Sequence, residues 1–181
     1  MATIRYTVPG LERGDAEQVV DILQHRLHAL NDLQLTLKHV HWNVVGPNFI
    51  AVHEMLDPQV DAVRGFVDDV AERIATLGGS PNGTPGALVK DRTWDDYSIG
   101  RDQAIAHLGA LDVVYTGVIS DHRTQIEKVG ALDPVTEDML IAQAGELEQY
   151  QWFVRAHLEN ADGSLNTQGK AGEQGAADAS R

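Results

Sequence analysis

Apolar residues recur in steps of three and four along most of the chain, which is the spacing of one buried face of an α-helix. No segment shows the steps of two that are typical of a half-buried strand. The pattern therefore predicts an all-α protein built from four long helices. Their expected ranges are residues 15–44, 48–77, 93–129 and 133–160.

Capping residues, glycine and proline indicate where these helices begin and end. Asn48 is the expected cap of the second helix, and Asp133, which precedes a proline, is typical of a helix start. Thr93 and Asp96 have the spacing of a capping box, so the third helix is predicted to begin near Thr93. Residues 78–92 are rich in glycine and proline, which indicates a long connection.

One long crossover between the second and third helices, with short turns elsewhere, predicts the ferritin-like four-helix bundle. The bundle is expected over residues 15–160, after an N-terminal arm of residues 1–14. Residues 161–181 consist largely of glycine, alanine and small polar residues, which is typical of a flexible, disordered tail.

Composition narrows the function classes. The 181 residues carry a net charge of −13, which repels nucleic acid and anionic membranes but suits a protein that gathers cations. The chain has no cysteine, which excludes disulfides, thiolate metal sites and a cysteine nucleophile. It shows neither a signal-peptide pattern nor an apolar run of the roughly 18 residues that a spanning helix needs, so we expect a cytoplasmic protein without membrane contact.

Most of the eight histidines have simple structural interpretations. His25, His28 and His107 are expected on solvent-exposed helix faces. His39 and His41 point about 200° apart on a helix, and only His41 continues the apolar stripe. His41 is therefore the inward histidine, which is consistent either with a hydrogen-bonded core residue or with a metal ligand.

Four ionisable residues share one stripe of the second helix. With His53 placed at zero on the helical wheel, Asp57, Asp68 and Glu72 fall at about 40°, 60° and 100°. Such a stripe either faces water or is paired or bound to metal, because covering four ionisable groups with apolar neighbours is costly. The other apolar positions of this helix do not define a clean alternative core face, which favours the metal interpretation.

One chain cannot bring both halves of this stripe to one ion, because their centres lie about 22 Å apart along the helix. A two-fold axis solves the problem when the second helices of two subunits cross antiparallel near Ala62 and Val63. No His has a Glu three residues before it, which excludes the Glu-x-x-His di-iron centre inside the bundle. Imidazole with carboxylate suits iron, with zinc, cobalt or manganese as competitors.

Three segments resemble the Dps family, the DNA-binding proteins from starved cells or mini-ferritins, and especially its actinobacterial branch. They are HWNVVGPNF at residues 41–49, HEMLD at residues 53–57 and DDVAER at residues 68–73. The stretch DRTWDDY at residues 91–97 strengthens the resemblance, which covers about residues 5–160.

The resemblance implies a hollow homododecamer with ferroxidase sites at its two-fold interfaces. One subunit would supply His41, His53 and Asp57, and its mate Asp68 and Glu72. Hydrogen peroxide or, more slowly, oxygen would oxidise Fe(II), and the shell would store the Fe(III) mineral and so protect DNA from oxidative damage.

Two further residues have assignments from the family. Trp42 is either a sacrificial electron donor or, as its main role, a packing residue of the interface. Asp121 aligns with a carboxylate of the family's iron-uptake pore, although a solvated surface Asp is nearly as good an interpretation.

DNA binding is expected to be weak or absent. The tail carries only Lys170 and Arg181 against three carboxylates, which leaves little attraction for phosphate. Two alternatives to the ferroxidase stay open: a nucleoid-associated, DNA-compacting shell with little metal turnover, and a site occupied by zinc or cobalt.

Overall fold

Helices dominate the computed structural model, which describes residues 4–181. Two very short strands accompany them, and none of the described helices is long and apolar enough to span a bilayer. The elements in chain order are α1 (Arg13–Asn43), β1 (Val44–Val45), α2 (Phe49–Thr76), α3 (Pro85–Asp91), β2 (Asp102–Gln103), α4 (Ala104–Gly130), α5 (Pro134–Arg155) and α6 (Glu173–Ser180).

The four long helices form two hairpins, α1 with α2 and α4 with α5, which pack together mainly through α1 and α4. Their apolar stripes meet in one continuous core, which confirms the predicted four-helix bundle with its crossover between the second and third long helices. The N-terminal arm adds Ile4, which is buried against the bundle. The fully buried large side chains include Leu23, Leu27, Leu30, Leu33, Leu37, Leu56, Ile74, Leu108 and Tyr115.

Asp133 begins α5 as predicted: its side chain accepts a hydrogen bond from the backbone N–H of Val135. The same carboxylate accepts a 2.7 Å bond from Arg73 of α2. Asn48 precedes α2 as expected but makes no capping hydrogen bond, because it adopts the left-handed conformation with φ 64°. The turn between α1 and α2 is therefore formed by residues with positive φ, Gly46 and Asn48, without a side-chain cap.

The prediction that the third long helix begins near Thr93 is wrong, because α4 begins at Ala104. The preceding residues run along α1, where the indole N–H of Trp94 donates a 2.8 Å bond to Asp32. The crossover ends in β2, which pairs in parallel with β1 at the corner between α1 and α2. Strands of two residues are too short to show an alternating pattern, so the sequence could not reveal them.

The expectation of a disordered tail over residues 161–181 is also wrong, because its last part forms α6 and packs on α4. Glu173 accepts 2.7 Å hydrogen bonds from both the backbone N–H and the hydroxyl of Ser98. Gly109 permits the close helix contact, since a Cβ there would lie 2.7 Å from the carbonyl oxygen of Ala176. Ala176 and Ala177, two of the small residues that suggested disorder, are fully buried in this contact. Through Glu173 and Ser98, α6 fastens the crossover to α4.

We expect Gly109→Leu to undock α6, because the new side chain occupies the space of the α6 backbone. Amide hydrogen exchange should then accelerate by about tenfold or more at residues 97–103 and 173–180, with the bundle still folded. The matched control is Gly145→Leu on α5, where a Cβ meets nothing within 4 Å. Unchanged protection in the Gly109 variant would show that α6 does not hold the crossover.

Candidate metal site

His41, near the end of α1, and His53, in the first turns of α2, stack with ring centroids 3.6 Å apart. Each Nδ1 lies within hydrogen-bonding distance of the other residue's carbonyl oxygen, at 3.0 Å and 2.9 Å. A carbonyl oxygen only accepts, so both Nδ1 atoms carry a proton and donate. In the neutral imidazole this leaves each Nε2 with a free lone pair, which is the arrangement of a metal-ligating histidine oriented by its second nitrogen.

Asp57 lies beside this histidine pair, one turn after His53 on α2. Its Oδ1 is 3.3 Å from Nδ1 of His41 and accepts a 2.8 Å hydrogen bond from Lys38. The hydrogen bond from Lys38 and the positive charge of its ammonium group hold the pKa of the Asp57 carboxyl below its ordinary value. The carboxylate is therefore ionised at neutral pH, half-exposed and available to a cation.

His41, His53 and Asp57 make up the candidate half-site, and Lys38 and Phe49 lie directly against it. The sequence did not single out Lys38, and it offered Phe49 only as part of the family motif. Lys38 precedes His41 by three residues, so helical spacing places the two on one face of α1 and could have revealed it. Phe49 lies with its ring centroid 5.1 Å from that of His53. The large apolar residues around the pair are exposed in the single chain, with 71% of Trp42, 57% of Ile50 and 39% of Phe49 accessible.

Asp68 and Glu72 are exposed on α2, several turns from His53, and do not meet the histidine pair within the chain. Among residues 4–181, no group of three or more His, Asp or Glu side chains is arranged to hold a metal ion. One chain therefore presents two separate parts of the predicted ligand set.

Three other histidines are buried in the bundle. The prediction of exposed faces is wrong for His28, whose Nε2 lies 2.9 Å from the carbonyl oxygen of Asn82, and for His107, whose Nδ1 bonds to the Tyr97 hydroxyl at 3.0 Å. His122 is also fully buried, and this burial lowers its pKa to about 4. Each has a structural role and lies apart from the predicted ligand set.

Asp121, the predicted pore carboxylate, forms an ion pair with Arg26, whose side chain is almost completely buried between α1 and α4. Burial lowers the pKa of Arg26, and the charge of Asp121 opposes that shift. About half of the Asp121 side chain is still exposed, so it compensates a buried cation while facing solvent.

Comparisons with known proteins identify the family of this chain. A family model described as a ferritin-like domain matches residues 20–164. The DNA protection during starvation protein of Mycolicibacterium smegmatis is 65% identical over 176 residues, which are 97% of this chain and 96% of that protein.

Two solved structures are similar along nearly their whole length. DpsA14 from Streptomyces coelicolor is 69% identical with a TM-score of 0.89, and the match covers 91% of this chain and 98% of that one. Mycobacterium smegmatis Dps is 65% identical with a TM-score of 0.91, and the match covers 93% of this chain and 96% of that one. The chain belongs to the Dps family of ferritin-like proteins.

Proposed function

We propose that this protein is a ferroxidase and iron store whose oxidation sites form between two subunits. The observation that carries the proposal is the oriented pair of His41 and His53 beside the ionised Asp57, at an exposed apolar surface. Asp68 and Glu72 lie exposed farther along α2, where a two-fold-related chain can bring them to its partner's histidines.

Fe(II) is the substrate in this proposal. The Nε2 atoms of His41 and His53 and the carboxylates of Asp57, Asp68 and Glu72 would bind it. Carboxylates favour Fe(III) over Fe(II), which lowers the reduction potential and assists electron loss. Two Fe(II) together reduce one hydrogen peroxide, with two protons, to two waters, so that no hydroxyl radical is released. Zinc, cobalt and manganese suit the same ligands and are expected competitors.

Assembly follows from the surface of the single chain. Trp42 follows His41 directly, Phe49 and Ile50 precede His53 by a few residues, and all three expose large apolar side chains. Val135 and Trp152 on α5 expose further apolar area. Exposed apolar area of this kind marks sites of contact with other molecules. We propose a hollow shell of twelve copies that stores the oxidised iron as mineral. Trp42 would mainly pack the two-fold interface and would act as an electron donor only when one iron is bound.

Substituting His53 tests the ferroxidase directly. In anaerobically Fe(II)-loaded wild type, peroxide should produce Fe(III) absorbance rapidly, with about two Fe(II) oxidised per peroxide. We expect His53→Ala to slow this oxidation by about tenfold or more, because a ligand is lost. The matched control is His25→Ala, which removes an exposed α1 histidine and should leave the rate unchanged. Equal rates for wild type and His53→Ala would refute the proposed site.

We also propose that Asp121 lines the route by which iron enters the shell. Asp121→Asn should slow iron uptake, but it also leaves the buried Arg26 charge without its partner and should cost about 1–3 kcal/mol of stability. The double variant Arg26→Met/Asp121→Asn removes both charges and should recover stability while uptake stays slow. If the double variant takes up iron at the same rate as the wild-type protein, Asp121 does not line the route.

The relatives' name, DNA protection during starvation protein, suggests a role in protecting DNA. We propose that protection here comes from removing iron and peroxide, with DNA binding weak or absent. Besides the net charge of −13, Arg181 in the tail is tied to Asp102 and Asp178. A gel shift should show no retarded complex at about 150 mM salt, where a few phosphate contacts are largely screened. A stable complex at that salt would favour the DNA-compacting alternative.

A further inference from the structure

A cleft of about 920 Å³ opens between α1 and α4, and neither His41 nor His53 belongs to its lining. Its floor is formed by apolar side chains of α1 and α4, including Ile22, Leu33, Val114 and Val118. The crossover residues 93–98 and the tail residues 171–173 form its walls. This volume lies in the range of small-molecule binding sites in proteins, which are typically about 300–1,000 Å³.

The rim of the cleft is acidic. Asp32, Asp95, Asp96 and Glu173 line it, while the cations in its lining are the buried Arg26, already paired with Asp121, and Lys128. Arg92 forms ion pairs with Asp32 and Asp96. Asp95 and Glu173 take part in no ion pair among residues 4–181, so the unbalanced negative charge of the rim comes from these two carboxylates. Carboxylates around a low-dielectric cleft focus a negative potential into it.

Arg26 supplies a second, independent feature at the floor. Its side chain is about 2% exposed, and its Nε–H has no hydrogen-bond partner among residues 4–181. A buried donor left without a partner is costly, and an acceptor atom of a bound molecule would satisfy it. The cleft thus combines an apolar floor, a negative rim and one unused donor.

We propose that this cleft binds a small organic cation: an amine with an apolar body and one hydrogen-bond acceptor. The apolar body lies on the α1 and α4 floor, the ammonium group faces the acidic rim near Asp95 and Glu173, and the acceptor meets the Nε–H of Arg26. The cleft contains none of the proposed ferroxidase ligands, and it shares only Asp121 with the proposed iron route.

Gly117 on α4 provides a way to close the cleft without harming the fold. It lines the cleft, and a Cβ built there meets nothing within 4 Å, so a side chain can be added at this position and leucine would fill part of the cleft. Gly145 on α5 is equally open but does not line the cleft, which makes Gly145→Leu the matched control. At the rim, Asp95→Asn removes one charge, and Asp91→Asn is its control outside the cleft.

The experiment uses the assembled full-length protein and the fluorescent amine dansylcadaverine, compared with its uncharged N-acetyl derivative. We expect saturable binding of one amine per subunit, with a Kd on the order of 10–100 µM for a ligand of this size. Gly117→Leu should weaken binding by about tenfold or more, and Gly145→Leu should not. Asp95→Asn, acetylation of the probe and added salt should each weaken it by about threefold, as expected for partly exposed charges.

If Gly117→Leu binds the probe with the same affinity as the wild-type protein, the probe does not occupy this cleft. Equal affinity for the amine and its acetyl derivative, with no effect of Asp95→Asn, would refute the preference for cations. Displacement of the probe by a basic peptide of about ten residues at lower concentrations than by free alkylamines would refute the small-molecule class and favour a peptide. Ferroxidase activity enters none of these readouts, so each proposal fails or stands by itself.

Discussion

Two pairs of proposed ligands lie on α2: His53 with Asp57, and Asp68 with Glu72. Their centres are about 22 Å apart along the helix axis, whereas metal–ligand bonds are near 2 Å. A continuous helix cannot close that distance, so the proposed site would be complete only with a second copy of the chain. The exposed apolar surface around Trp42 and Phe49 fits the same requirement, because it gives two chains a reason to associate where the ligands must meet. In the proposed assembly, oligomerisation and metal chemistry therefore depend on one interface.

The remaining elements fix the half of the site that one chain provides. The exchange of hydrogen bonds between His41 and His53 joins the end of α1 to the start of α2 and sets both imidazole tautomers. Immediately after it, β1 pairs with β2, so the end of the crossover holds the same corner. The crossover is in turn fastened to α4 through Ser98 and Glu173 of α6. A continuous chain of contacts thus runs from the tail to the corner that carries the histidines.

Much of the fold, and part of the proposed site, could be predicted from the sequence because these features depend on local periodicity. The four long helices, the Asp133 cap and the inward direction of His41 follow from helical spacing and capping chemistry. The late start of α4 does not follow from spacing, because the residues before it make contacts with segments far away in the sequence, such as the hydrogen bond from Trp94 to Asp32. The docking of α6 and the burial of His28 and His107 likewise arise from tertiary contacts, which outweigh composition.

In the proposed assembly each oxidation site takes ligands from two chains, and complementation between two inactive variants tests this most directly. His53→Ala and Asp68→Asn chains, co-produced so that they assemble together, form mixed pairs in which one of the two sites is intact. With random pairing, about a quarter of all sites should be intact, and peroxide-driven Fe(II) oxidation should recover to about that fraction of the wild-type rate. Oxidation that stays at the level of the separately assembled variants would contradict the account.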